Sequence, residues 1–208
     1  MHIVDGALSN EVVIAGSVLA VGGIALGLKK LPMEKIPAAG VLSATFFVAS
    51  LIHVPIGPSS VHLILNGLAG LILGWAAFPA LFVGLLLQAV FFGFGGLTVL
   101  GVNTLNIALP AVAVFYLCRH GVAAASPMVA AIWGGIGGAL SIVLTTLLVG
   151  VSLALSGEEF VPAAKLVFFT HIPVMAIEGL LTAFAIYLVR KVKPELFADL
   201  KVSSGGAQ

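Results

Sequence analysis

The chain opens Met1-His2-Ile3-Val4-Asp5-Gly6, and an imidazole one residue from an amino terminus is a chelating group. Three nitrogens are available to a single ion: the terminal amine, the deprotonated main-chain amide of His2 and one nitrogen of its ring. Together they close two small fused rings that lie nearly in a plane. A planar nitrogen set suits nickel(II) or copper(II), whereas imidazole by itself also serves iron and zinc. A fourth nitrogen would complete the square. The geometry requires Met1 to remain, and a side chain as large as histidine in second place disfavours its removal. No basic stretch precedes the first apolar run, so a cleaved signal peptide is not expected and the native start is expected to persist. The competing reading is that His2 is an interfacial residue at an ordered terminus.

The candidate for the fourth nitrogen is His62. Read as a helix, the third apolar run puts Ser59, His62 and Asn66 at spacings of three and four, on one face. Gly67, Gly70 and Gly74 form a second stripe that lets another backbone approach closely. An ordinary interhelical hydrogen bond is the other reading of His62. Nearer the C-terminus, His171, Met175, Glu178 and Thr182 repeat at four, three and four, a polar stripe that must face protein because an ionisable group in lipid is costly. His171 reads as a support for a metal ligand. Glu178 reads as a packing residue bonded to polar neighbours such as Ser141 or Thr145, or as a direct ligand.

The glycine-rich stretch from Phe91 to Asn103 has no basic residue and no flanking strand, which excludes a phosphate loop. It fits a tight or re-entrant loop, with Thr98 or Asn103 bonding to a ligand or to another loop. His53 ends the second apolar run, as an entry ligand or as a plain interfacial residue. Gln88 and the stripes Ala130, Gly134, Gly138 and Ala131, Gly135, Ala139 read as helix packing or as a docking face for a membrane partner. The single cysteine, Cys118, leaves no internal disulfide and no Cys/His zinc pattern.

These residues must be positioned by helices in lipid. Hydrophobic residues are 61% of 208 and charged residues 8%, with a mean hydropathy of +1.23, outside the range of a soluble domain. A net charge of +1 gives no basic surface for nucleic acid. The expected fold is an all-α integral membrane protein, a bundle of about seven transmembrane helices. The apolar runs fall near Leu8 to Leu28, Ile36 to Val54, Val61 to Ala77, Pro79 to Gly95, Thr104 to Cys118, Pro127 to Leu155 and Lys165 to Val189. The third and fourth could also be one kinked helix. Cytoplasmic loops collect Lys and Arg, and a first span running inward puts eight of the nine basic residues inside, all but Lys165. The N-terminus then lies outside and the C-terminus in the cytoplasm, and His2, His53, His62 and His171 lie at outer ends. One bundle accounts for the whole length: residues 1–7 as a metal-binding segment, 8–190 as the helices and 191–208 as a cytoplasmic tail.

Four blocks, MHIVDGALS, PIGPSSVHLILNGLAGLILGW, LQAVFFGFGGLTVLGVNT and HIPVMAIEG, in this order and spread from end to end, resemble the CbiM/NikM family. These are the substrate-binding subunits of energy-coupling factor transporters for cobalt and nickel in the prokaryotic plasma membrane. The resemblance implies that Met1, His2 and His62 hold the metal, and the residue pattern offers Ser59, Asn66, Asn103 and His171 as candidates to surround it. It also implies a membrane-embedded coupling subunit, two cytoplasmic ATPase subunits and often a small accessory membrane protein as partners. The transported nickel(II) or cobalt(II) would be cargo, with no resident cofactor. Members differ around the mapped histidine, so the resemblance leaves the choice of ion open. No Walker motif is present, consistent with ATP being hydrolysed elsewhere. The alternative is a self-sufficient channel or ion-coupled carrier using Glu178 and Gln88 as a relay. An intramembrane metalloenzyme would need an HExxH motif or paired carboxylates near the histidines, and neither is present.

Overall fold

A backbone in lipid has no water to bond, so its polar groups must be satisfied within each segment, and long apolar runs become helices. The computed structural model describes residues 2–51, 53–56, 59–124 and 126–197, with the main chain alone for residues 53–56, 59 and 60. Helix α1 (Asn10–Lys29) starts at Ser9, whose Oγ accepts from the Val12 N–H at 3.5 Å. Helix α2 (Ile36–Ala49) carries Pro37 in its first turn, where the missing N–H costs nothing. After it come strands β1 (His53–Ile56) and β2 (Ser59–His62), then α3 (Asn66–Leu73), α4 (Ala77–Phe92), α5 (Leu100–Val122), α6 (Pro127–Ser156), α7 (Val161–Thr170) and α8 (Ile172–Val192). Among the described residues, Asn10–Lys29, Asn66–Phe92, Leu100–Val122, Pro127–Ser156 and Ile172–Val192 are long and apolar enough to cross a bilayer. The chain is a multi-pass membrane protein.

Three segments depart from the expected spans. The third span does not begin at Val61: Ser59–His62 is a strand paired antiparallel with His53–Ile56, His53 opposite His62. Ser59, His62 and Asn66 therefore share no helical face, and His53 lies in β1 rather than at the end of a helix. The run Asn66–Phe92 is not a single kinked helix either, because it turns back at Gly74–Ala76, with Gly74 at φ +57°. Trp75 at this turn lies under the Lys30 ammonium, 5.4 Å from its ring centre, at the end of α1. Gln88 of α4, in contrast, reaches His2 ahead of the start of α1. The last span is broken at His171, because Pro173 at the start of α8 cannot continue the hydrogen bonding of α7.

Close helix contacts explain the small residues. Gly134 of α6 packs on Ile186 of α8, Gly138 on Thr182, and Gly135 on the Gly179 carbonyl. That face is internal packing, not a docking face. A Cβ at Gly70 would overlap the Ala111 carbonyl, so α3 meets α5 backbone to backbone.

The ends of the bundle differ in charge. Trp75 Nε1–H donates to the Tyr116 hydroxyl at 2.9 Å, and Arg190 Nη2–H donates to the Ala124 carbonyl at 2.6 Å. These bonds, with the Lys30 contact, gather the ends of α1, α5 and α8 and the α3–α4 turn at one end. Lys29, Lys30, Lys35, Arg119, Arg190, Lys191 and Lys193 all belong to it. The histidines other than His120 lie toward the opposite end, together with Lys165.

Candidate metal site

The N-terminal segment is tied into the bundle before α1 begins. Asn103, at the start of α5, clamps Ile3 twice: its Oδ1 accepts from the Ile3 N–H at 2.9 Å and its Nδ2–H donates to the Ile3 carbonyl at 3.0 Å. The Asp5 N–H donates to the Gly95 carbonyl at 2.8 Å, and the Asp5 carboxylate accepts from both the N–H and the O–H of Thr98. The backbone at Gly96 has φ +118°, and a Cβ there would overlap the Asp5 carboxylate. The glycine-rich loop is thus a socket for residues 3–5. Ile3 is fully buried and fills the hydrophobic core beside it.

Docked in this way, His2 is buried and its ring meets that of His62, with centres 4.6 Å apart and planes 26° apart. His2 Nδ1 and His62 Nε2 approach to 3.1 Å. The other two ring nitrogens decide the tautomers. His62 Nδ1 is 2.7 Å from the Leu63 carbonyl, and His2 Nε2 is 2.6 Å from Gln88 Oε1; both oxygens can only accept. Each ring therefore donates its proton outward, and the facing nitrogens carry lone pairs. Such a contact repels unless a cation lies between them. With metal–nitrogen lengths of about 2.0–2.1 Å, adjacent corners of a square lie about 2.8–3.0 Å apart, close to the spacing found here. Burial pushes the His62 imidazole down to about 4, opposed in part by its bond to Leu63, so the ring is neutral at pH 7 as a ligand must be.

The other half of the site hangs from α8. Glu178, fully buried, accepts from the N–H groups of Ile64 and Leu65, and Leu65 turns left-handed at φ 54° just ahead of α3. Its expected partners, Ser141 and Thr145, bond instead to Asn66, whose Nδ2–H donates to the Ile107 carbonyl at 2.8 Å and to Thr145 Oγ1 at 2.9 Å while its Oδ1 accepts from Ser141 at 3.1 Å. Asn66 thus locks α3 to α5 and α6, with both ends of its amide engaged away from the histidines. His171 is buried at the α7–α8 corner and donates through Nδ1–H to the Val167 carbonyl at 2.6 Å. Ser59 begins β2, and Met1 lies outside the described residues.

Gln88, which reads from the sequence as packing or as part of a relay, instead backs the His2 ring, and the signal for it is an amide inside an otherwise apolar helix. Among the described residues, no three His, Cys, Asp or Glu side chains converge. A four-donor site at His2 and His62 would need donors beyond these side-chain types.

A family described as "Cobalt uptake substrate-specific transmembrane region" matches residues 2–196, from the first of these histidines to beyond α8. The chain belongs to the CbiM family. It is 43% identical over 198 residues to a Haemophilus influenzae protein named "Putative metal transport protein", covering 94% of this chain and 96% of that one. A Rhodobacter capsulatus relative, "Fused nickel transport protein NikMN", is 37% identical over 136 residues, which are 61% of this chain and 39% of the relative. A crystal structure of a transition metal transporter superposes with a TM-score of 0.75 at 26% identity, covering 99% of this CbiM-family chain and 98% of the other.

Proposed function

We propose that this protein is the membrane-embedded substrate-binding subunit of an energy-coupling factor importer that captures nickel(II) or cobalt(II) from outside the cell. The observation that carries the reading is the approach of His2 Nδ1 and His62 Nε2 to 3.1 Å in a buried setting, with an acceptor oxygen behind each ring. The ion would take His2 Nδ1, the His2 amide, the Met1 amine and His62 Nε2 as a planar set. Amine and Nδ1 would lie opposite each other, and His62 would lie opposite the amide, at a right angle to Nδ1. Four nitrogens in a square favour nickel over cobalt on coordination grounds.

The charge asymmetry of the bundle supports an outer site and a cytoplasmic basic end. Residues 1–7 serve as the metal-binding segment, 8–190 as the bundle and 191–208 as the cytoplasmic tail. ATP hydrolysis belongs to two cytoplasmic subunits, reached through a coupling subunit in the membrane. A small accessory membrane protein is a further partner, and the fused relative, in which the matched region is a minor part of the length, supports it. Gln88 and Glu178 hold the two sides of the site separately, one the His2 ring and the other the segment after His62, which favours a receptor over a carrier with a relay.

The test is to purify the protein with a C-terminal tag free of histidine, once with Met1 first and once with an alanine ahead of it. Each is titrated with nickel(II) and cobalt(II) by calorimetry while visible absorption is recorded. One ion bound by the first form and none by the second is the expected result, and the tighter ion names the cargo. Equal binding by both would remove the terminal amine from the site.

A further inference from the structure

Neither histidine can choose its tautomer alone, and the two acceptors that choose for them differ in kind. For His62 it is the main-chain carbonyl of Leu63, which any residue would supply. For His2 it is a side chain, Gln88, whose amide could present either oxygen or nitrogen to the ring. Its orientation is set from behind. Ser50 Oγ–H donates at 2.7 Å to the Phe46 carbonyl, which also accepts the Ser50 N–H at 3.2 Å, and sits within 3.3 Å of the Phe47 carbonyl, both carbonyls being in the last turn of α2. With its proton committed there, Ser50 Oγ accepts from Gln88 Nε2–H, and Gln88 Nε2 lies 3.5 Å from the Phe47 carbonyl, which accepts only. Oε1 must then face His2. Ser50, Gln88 and His2 are all buried, so water does not compete within this chain of bonds.

We infer that Gln88 is a positioning residue that imposes the Nε2–H tautomer and the ring angle on His2, and so presents Nδ1 to the ion. Nδ1 is the nitrogen that can close a six-membered ring with the His2 amide; Nε2 points the other way. The direction of every bond in the series traces back to the terminal carbonyls of α2, so α2 and α4 together prepare a ligand that belongs to neither. This rests on the proposed ligand set, and it adds a lever on the electronics of the site, since the acceptor behind an imidazole tunes its basicity.

The experiment compares wild type, Gln88→Met, Gln88→Glu and Ser50→Ala in nickel(II) affinity and in the position of the nickel d–d band. Gln88→Met, similar in size but without the acceptor, weakens binding roughly 10–100-fold and moves the band to longer wavelength. Gln88→Glu restores the acceptor, recovers affinity relative to Gln88→Met and moves the band to shorter wavelength, because a carboxylate makes the ring a stronger donor. Ser50→Ala, a small change that tests the orientation of the amide if the Gln88 variants do not fold, shifts the band in the same direction as Gln88→Met. Variants with wild-type affinity and band overturn the inference, as do variants that all weaken binding equally with an unmoved band, the mark of a role in folding alone. A wild-type protein without a planar nickel band overturns the ligand set itself.

Discussion

Replacing Asn103 with alanine tests whether metal affinity depends on docking of the N-terminal segment. Asn103 touches no proposed ligand atom; it holds the Ile3 N–H and carbonyl through two bonds, at 2.9 and 3.0 Å, in a buried setting. Removing one partner and leaving a buried polar group stranded costs about 1–3 kcal/mol, and here two groups are stranded. The segment escapes part of this by undocking and rehydrating, so the loss is limited by its own docking energy. A loss of about 2–4 kcal/mol against the docked form weakens nickel(II) binding by at most roughly 30- to 1,000-fold, less by the docking energy the wild type holds in reserve, because the ion binds the docked fraction alone. Calorimetry measures the change. Asn106→Ala is the control on the same helix: Asn106 exchanges comparable bonds with Ser152, at 3.1 and 3.3 Å, and makes none to residues 2–5. It is expected to lower the melting temperature and leave the nickel Kd unchanged. An unchanged Kd in Asn103→Ala, or an equal loss in both variants, refutes the reasoning.

Glu178→Ala strands the Ile64 and Leu65 N–H groups at about 1–3 kcal/mol each and frees the segment after His62, so both thermal stability and nickel affinity should fall. Glu178→Gln keeps an acceptor and should lie between it and wild type, and a variant series with unaltered melting temperatures would count against the anchor. The pH dependence has a definite sign. The His62 ring is depressed from 6.5 to about 4 in the folded protein, so within that window the unfolded chain holds a proton that the folded one does not. The contribution of His62 to the stability of the metal-free protein is therefore lost as pH drops through the window, and His62→Gln should remove that contribution in denaturant titrations at several pH values.

The helices were legible because lipid demands long apolar runs, and α1, α5 and α6 lie close to where the runs placed them. The strand pair His53–Ile56 and Ser59–His62 was not, because a window of apolar content cannot tell a short strand from a helix end. The clue lay in composition: Val54, Ile56 and Val61 are β-branched, and Pro55 and Pro58 interrupt any helix. The break at His171 had its signal in Pro173. His2 and His62 could be named as candidate ligands from residue type, yet nothing local brings together residues 60 apart. Glu178 shows the harder limit. Its carboxylate was correctly read as facing protein, but its partners are main-chain N–H groups, which every residue but proline supplies and no sequence pattern marks.

The division of labour between main chain and side chain follows from the same physics. A buried imidazole needs its outer proton accepted, and a carbonyl is the acceptor least able to reverse its role, so carbonyls stand at the origin of both tautomers: Leu63 directly behind His62, and the end of α2 behind His2 through Ser50 and Gln88. The two halves approach from separate supports, residues 2–5 clamped by α5 and its preceding loop, and residues 62–65 hung from α8. Between His2 and His62 the meeting point is a pair of lone pairs with no proton to share, so neither half gains by closing on the other until a cation arrives. An ion there would join the two supports, which gives a receptor of this build a reason to differ mechanically between its loaded and empty forms while its helices keep their packing.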